Sequence, residues 1–95
     1  MPKYGANDRG DIANVETFNA LPIAVECKDY GGQFKVGPWL NEAETERKNL
    51  GAVAGIVIAK RRGVSAPGSQ VVIMTVDDFI AIATGKNIRE VATNE

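Results

Sequence analysis

The feature that most constrains the fold is a continuous apolar run at residues 52–59, AVAGIVIA, which is rich in β-branched side chains. Such a run is typical of a strand buried on both faces, as in a parallel sheet. Residues 38–50 precede it with helical spacing of apolar side chains, with Pro38 suited to a first helical turn and Gly51 to the position just past the end. The sequence therefore predicts a helix followed by a buried strand.

A second strand is predicted at residues 22–28, PIAVECK, because apolar and polar residues alternate there. One face of this strand would carry Ile23, Val25 and Cys27. Glu26 and Lys28 would share the opposite face, which the alternation assigns to solvent, while Cys27 would lie in the core. With the helix and the apolar run, this strand forms a β-α-β unit whose two strands are parallel.

The remaining segments predict shorter elements. Residues 11–16 are expected to be a strand that pairs antiparallel with residues 22–28 as a loose hairpin, and residues 33–36 a further short strand. Residues 70–76 predict another strand, followed by a short helix that ends at Gly85 and begins with a capping box formed by Thr75 and Asp78. We expect one domain over residues 1–95, with a flexible arm at 1–10 and a tail at 86–95.

Composition excludes several classes of protein. The 95 residues include one cysteine and no histidine, so an internal disulfide framework, Cys/His zinc sites and histidine-based catalytic triads are absent. The formal net charge of −1 provides no overall attraction to nucleic acid or anionic lipid. No apolar stretch is long enough to cross a bilayer or to form the core of a signal peptide, so we expect a cytoplasmic protein without membrane partners.

Asp11, Glu26 and Lys28 form the candidate site. If the predicted hairpin forms, Asp11 and Glu26 come close enough to hold one Mg²⁺ ion together with the backbone carbonyl of Cys27 and several waters. Lys28 would then position or deprotonate an attacking water and offset charge on a phosphodiester. The alternative is an ordinary exposed Glu–Lys pair, since the same spacing recurs inside the predicted helix at Glu46 and Lys48.

A basic cluster, formed by Lys60, Arg61 and Arg62, follows the buried strand. Residues 51–76 contain these three cations and no acid, so positive charge is concentrated there although the whole chain is slightly acidic. We expect the cluster to contact DNA phosphates, with Lys35 extending the same surface. The alternative is a solvated strand end.

Four segments together resemble the PD-(D/E)XK nuclease superfamily, and most of all small phage-encoded proteins related to archaeal Holliday junction resolvases. They are DRGDI at residues 8–12, VECK at 25–28, WLNEAE at 39–44 and KRRG at 60–63. The resemblance implies a restriction-endonuclease-like mixed α/β sheet, with a hairpin, a β-α-β crossover, a further strand and a short helix. Members of that branch usually have an N-terminal helix carrying another glutamate, and only ten residues precede Asp11 here. We expect that the helix is lost, that the sequence is truncated, or that a partner chain supplies the missing piece.

The same resemblance implies an activity and its residues. Asp11 and Glu26 would be ligands of Mg²⁺ or Mn²⁺, and Lys28 the catalytic lysine. The expected activity is phosphodiester hydrolysis that leaves a 5′-phosphate, carried out on branched DNA by a homodimer, in a bacterial host's cytoplasm if the chain is phage-encoded. No small-molecule cofactor is expected. The alternatives are a catalytically reduced nuclease-fold module that binds DNA or joins a partner subunit, and a small structural or assembly protein.

Overall fold

The computed structural model describes residues 10–89, which form a small α/β domain with a mixed three-stranded sheet and two main helices. The elements are β1 (Ile23–Lys28), α1 (Val36–Leu50), β2 (Ala54–Ala59), a 3₁₀ turn (Pro67–Ser69), β3 (Val71–Ile73) and α2 (Val76–Thr84). The strand order is β1-β2-β3, with β1 parallel to β2 and β3 antiparallel to β2. Most of the predicted arm, residues 1–9, lies outside the described residues.

The predicted β-α-β unit is confirmed. Strands β1 and β2 pair in parallel from Ile23 opposite Ala54 to Lys28 opposite Ala59. Helix α1 begins at Val36, two residues earlier than predicted. It ends at Leu50 as predicted, because the next residue, Gly51, takes the left-handed conformation with φ of 72°. This conformation lets the chain turn directly into β2, whose end lies beside the candidate site.

Helices cover both faces of the sheet. Trp39 and Ala43 of α1 pack on one face against Val57 and Ala59, while Ala81 of α2 joins a core on the other face. That second core includes Ile23, Val25 and Ile56. The carboxyl-terminal half of β1 therefore lies between a helix and the edge of the second core.

The prediction that β1 is packed on one side was wrong. Glu26, assigned to solvent by the alternation, is buried because α1 lies over its face of the sheet. Cys27, assigned to the core, is exposed because it lies near the end of β1, outside the buried cluster on that face. Alternation reports only the chemistry of the two faces, and it does not show how far each helix extends along the strand.

Two predicted short strands are also wrong. Residues 11–16 make two isolated antiparallel bridges, Ile12 with Val25 and Glu16 with Pro22, and no continuous strand. Asn14 between them has φ of 67°, which interrupts extended pairing. Residues 33–36 are a loop that runs into α1 at Val36. The hairpin of the sequence prediction is thus reduced to the two bridges, one of which brings Ile12 beside β1.

Helix α2 begins at the predicted pair of capping residues, Thr75 and Asp78. The Thr75 hydroxyl accepts the backbone N–H of Asp78 and donates to the Asp78 carboxylate, and the helix ends at Gly85. The predicted tail was wrong for residues 86–89, because Ile88 packs against the core and the Arg89 side chain donates to the Val53 carbonyl. Residues 90–95 lie outside the described part of the chain.

Gly55 marks the closest approach of α1 to the sheet. A methyl group at this position would lie 2.4 Å from the Ala43 carbonyl oxygen, a backbone atom that moves only with the helix. We expect Gly55→Ala to lower the free energy of unfolding by about 1–3 kcal/mol in urea denaturation. Gly37→Ala is the matched control, since Gly37 lies in α1 and no atom beyond its chain neighbours and the helix backbone lies near the position that a Cβ would occupy there. Because alanine favours a helix more than glycine does, Gly37→Ala should leave the free energy of unfolding unchanged or higher. A loss in Gly37→Ala as large as that in Gly55→Ala would contradict the packing explanation.

Candidate functional site

Asp11 is held against the free edge of β1 by two hydrogen bonds. Its backbone N–H donates to the Val25 carbonyl at 2.7 Å, and its carboxylate Oδ2 accepts the backbone N–H of Cys27 at 2.7 Å. Gly10 allows this approach, since its φ is 100° and a Cβ there would lie 2.8 Å from the Val25 oxygen. The Gly-Asp pair of the sequence is therefore explained by a glycine that fits against the strand and an aspartate that bonds to its edge.

Glu26 is a buried carboxylate with an incompletely satisfied charge. Its residue is 9% exposed, and its Oε2 lies 3.3 Å from the Lys28 ammonium nitrogen. Its other oxygen, Oε1, is buried and has no hydrogen-bond partner among the protein atoms of the described residues. Burying a carboxylate oxygen without a donor or a cation is costly, so this atom marks a place where a ligand would be stabilised.

Lys28 connects the strand to α1. Its ammonium contacts Glu26 on β1 and hydrogen-bonds Glu42 on α1. The hydrogen bond to Glu42, with the smaller contribution of Glu26, raises the pKa of Lys28 above its ordinary value although burial opposes this. Lys28 therefore stays protonated at neutral pH. It can supply a positive charge and hydrogen bonds, and these contacts disfavour the predicted alternative in which it deprotonates a water.

Cys27 lies between the two carboxylates. Partial burial raises the pKa of the Cys27 thiol, and the nearby charges of Asp11 and Glu26 raise it further. Asp11 thus bonds Cys27 at the strand edge, and Glu26, the residue before Cys27, lies on the face beneath α1. The thiol itself remains protonated, which makes it a poor nucleophile or metal ligand, and the backbone carbonyl is the ligand that Cys27 could contribute.

Asp11, Glu26 and the Cys27 carbonyl are the groups that would hold a divalent ion here. Among residues 10–89, no group of three or more Asp, Glu or Cys side chains is arranged to hold an ion. Mg²⁺ is usually bound by one or two carboxylates and keeps several waters, so Asp11, Glu26 and the Cys27 carbonyl suffice in number and chemistry. The unpartnered Oε1 of Glu26 is the observation that favours such an ion.

The basic cluster lies at the same end of the sheet. The backbone N–H of Lys60 donates to the Lys28 carbonyl, which places the cluster directly beside the candidate site. Each of its side chains also bonds a backbone carbonyl: Lys60 to Val64, Arg61 to Ser69 and Arg62 to Gly31. These bonds shape the loop after β2 while Arg61 and Arg62 stay exposed, so the cluster has a structural role and keeps charge at the surface.

Glu42 is the residue at this site that sequence reasoning missed. It lies three residues after Trp39 and four before Glu46, both of which α1 buries against the sheet. That helical spacing was visible and could have identified Glu42 as facing β1. Its bond to Lys28 was not predictable, because it depends on how far along the strand the helix lies.

A scan against protein-family models, a search of curated protein sequences and a search of solved structures found no match to this chain. The fold and the site define a small α/β domain in which acids, a lysine and a basic loop meet at one end of a mixed sheet. Neither α1 nor α2 is long and apolar enough to cross a membrane, within residues 10–89.

Proposed function

We propose that the chain is a divalent-metal-dependent endonuclease of the PD-(D/E)XK type, which hydrolyses phosphodiester bonds in branched DNA as a cytoplasmic homodimer. The observation that carries the proposal is the buried Oε1 atom of Glu26, which has no hydrogen-bond partner among the described protein atoms, while Oε2 of the same carboxylate lies 3.3 Å from the Lys28 ammonium nitrogen. Asp11, bonded to the intervening residue Cys27, supplies the second carboxylate. Two acids and a protonated lysine are the groups that metal-assisted phosphodiester hydrolysis needs.

Each residue has a distinct role in this proposal. Asp11, Glu26 and the Cys27 carbonyl would hold Mg²⁺ or Mn²⁺, which when bound lowers the pKa of a coordinated water and neutralises phosphate charge. The Lys28 ammonium stabilises the negative charge that develops on the phosphate oxygens. Glu42 holds that ammonium from α1, so that it is in place before substrate binds.

The basic residues of the proposal position DNA. Arg61 and Arg62 are exposed beside the site and carry the charge that phosphates require, and Lys35 is exposed on the loop before α1. Phosphate contacts of this kind set the position of the strand without reading its sequence. This is consistent with an enzyme that recognises the shape of its DNA substrate.

A catalytically reduced module is the second candidate, and a specific observation favours it. One oxygen of Asp11 is already occupied by the Cys27 N–H, and Lys28 already pairs with Glu42. These contacts can be purely structural, since the first stabilises the edge of β1 and the second joins β1 to α1. In this case the protein would bind branched DNA, or join a partner subunit, without cutting.

Metal dependence tests the proposal directly. We expect the purified protein to cut a labelled four-way junction in Mg²⁺ or Mn²⁺, to leave ligatable 5′-phosphate ends, and to lose all cutting in excess EDTA. Gel-shift binding of the same junction in EDTA would be measured in parallel. Binding without cutting in either metal would support the reduced module. The absence of both binding and cutting would contradict the nuclease and the DNA-binding form of the reduced module.

A further inference from the structure

The loop between β1 and α1, residues 29–35, holds two exposed aromatic rings in fixed positions. Tyr30 is 49% exposed and Phe34 is 41% exposed. Both pack on the buried ring of Trp39, with ring centroids 5.3 Å and 6.3 Å away and interplanar angles of 57° and 52°. Trp39 is a residue of α1 and is buried in the core between that helix and the sheet. The Tyr30 and Phe34 rings therefore pack on a fixed side chain with their inner sides, while their outer sides face solvent.

Two lysines lie over the Tyr30 ring, and an arginine bonds the backbone beside it. The ammonium nitrogens of Lys35 and Lys28 lie 5.3 Å and 5.9 Å from the centroid of the Tyr30 ring. Arg62 donates to the carbonyl of Gly31, the residue after Tyr30. Asp29 is the one acid of the loop, and Lys28 is paired with Glu26 and Glu42, so among residues 10–89 the cations of this border that no ion pair neutralises are Lys35 and Arg62. Exposed rings bordered by lysine and arginine match the surfaces on which proteins bind single-stranded nucleic acid.

We infer that Tyr30 and Phe34 form a stacking surface for an unpaired base of single-stranded DNA, next to the site at Glu26 and Lys28. The choice of DNA as the ligand rests on the proposed function. Bases in a continuous duplex are stacked on one another and cannot reach such a surface, whereas bases at a branch point or an open end can. The cations favour a polyanion over an uncharged peptide, and they place the phosphates that flank the stacked base near the carboxylates and Lys28.

Binding of a fluorescein-labelled oligothymidylate to the full chain tests the inference, measured by anisotropy at low salt in EDTA, where no cutting occurs. We expect Tyr30→Ala and Phe34→Ala each to weaken binding by about tenfold, because a stacked base contributes strongly to affinity in such sites. Tyr30→Phe keeps the ring and should bind like the original chain. Phe18→Ala is the matched control, since Phe18 is 82% exposed and lies on the segment before β1.

Trp39 provides a second readout, because it is the only tryptophan of the chain and contacts both rings. Its fluorescence should change when the oligonucleotide binds, and the change should be smaller in Tyr30→Ala. A blunt duplex of the same length should bind more weakly than the single strand.

Three results would overturn the inference: unchanged affinity in both alanine variants, an equal loss in Phe18→Ala, or tighter binding of the duplex than of the single strand. The junction-cutting assay is run separately on the original chain. If the alanine variants bind like the original chain while the original chain cuts the junction, only the inference is overturned. If the variants lose binding as expected while the original chain does not cut, only the proposed nuclease activity is overturned.

Discussion

Replacing Glu26 with glutamine is expected to reduce metal-dependent cutting of a four-way junction by at least about 1000-fold while the protein stays folded. Glutamine has nearly the same shape as glutamate, so the contact between β1 and α1 is retained. It carries no charge, so the buried oxygen that now has no partner would no longer attract a cation. A metal site with its principal carboxylate removed loses several kcal/mol of transition-state stabilisation, which corresponds to the stated factor.

Glu16→Gln is the control for this variant, because it makes the same chemical change at an exposed glutamate before β1. Cutting rates would be combined with Mn²⁺ binding by calorimetry and with urea denaturation in EDTA. We expect Glu26→Gln alone to lose both cutting and Mn²⁺ binding, with no loss of stability, since it removes an incompletely paired buried charge. Full cutting activity in Glu26→Gln would contradict the assignment of this residue as a metal ligand.

Removing the Asp78 carboxylate is expected to produce the largest loss of stability. Asp78 is 4% exposed, caps α2 through Thr75, accepts the N–H of Gly55 and pairs with Arg89 at 2.8 Å. Its carboxylate thus joins α2 to the edge of β2 beyond the point where β3 ends. Asp78→Ala would leave the buried Gly55 N–H without its acceptor and would remove the carboxylate that pairs with Arg89, so we expect a loss of about 3 kcal/mol.

Asp77→Ala provides the comparison, because the two aspartates are neighbours in the first turn of α2 and Asp77 is exposed. Asp77 contributes its charge at the helix N-terminus, so its loss should cost at most about 1 kcal/mol. In thermal denaturation the midpoint of Asp78→Ala should fall by about 10–20 °C, far more than that of Asp77→Ala. Equal effects in the two variants would show that helix-end charge, and not the buried network, accounts for the loss.

The pairing of Glu26 with Lys28 was predictable, and its surroundings were not. A period of two places both side chains on one face of β1 wherever that strand lies, and the structure confirms the strand. The sequence does not show that α1 covers this face, so the expected solvated pair is a buried one bonded to Glu42. Asp11 was correctly expected beside β1, but as part of a strand, whereas a single bridge and its own hydrogen bonds hold it there.

Local features of the sequence determined the elements of the β-α-β unit and the start of α2. The apolar run predicted β2, Gly51 predicted the end of α1, and Thr75 with Asp78 predicted the start of α2, because each signal acts through neighbouring residues. Only the tertiary structure decided which side chains are buried at the site, that Arg89 joins the network of Asp78, and that Tyr30 and Phe34 are supported by Trp39. These contacts join segments far apart in the chain, so they depend on where the helices lie along the sheet, which no local pattern encodes.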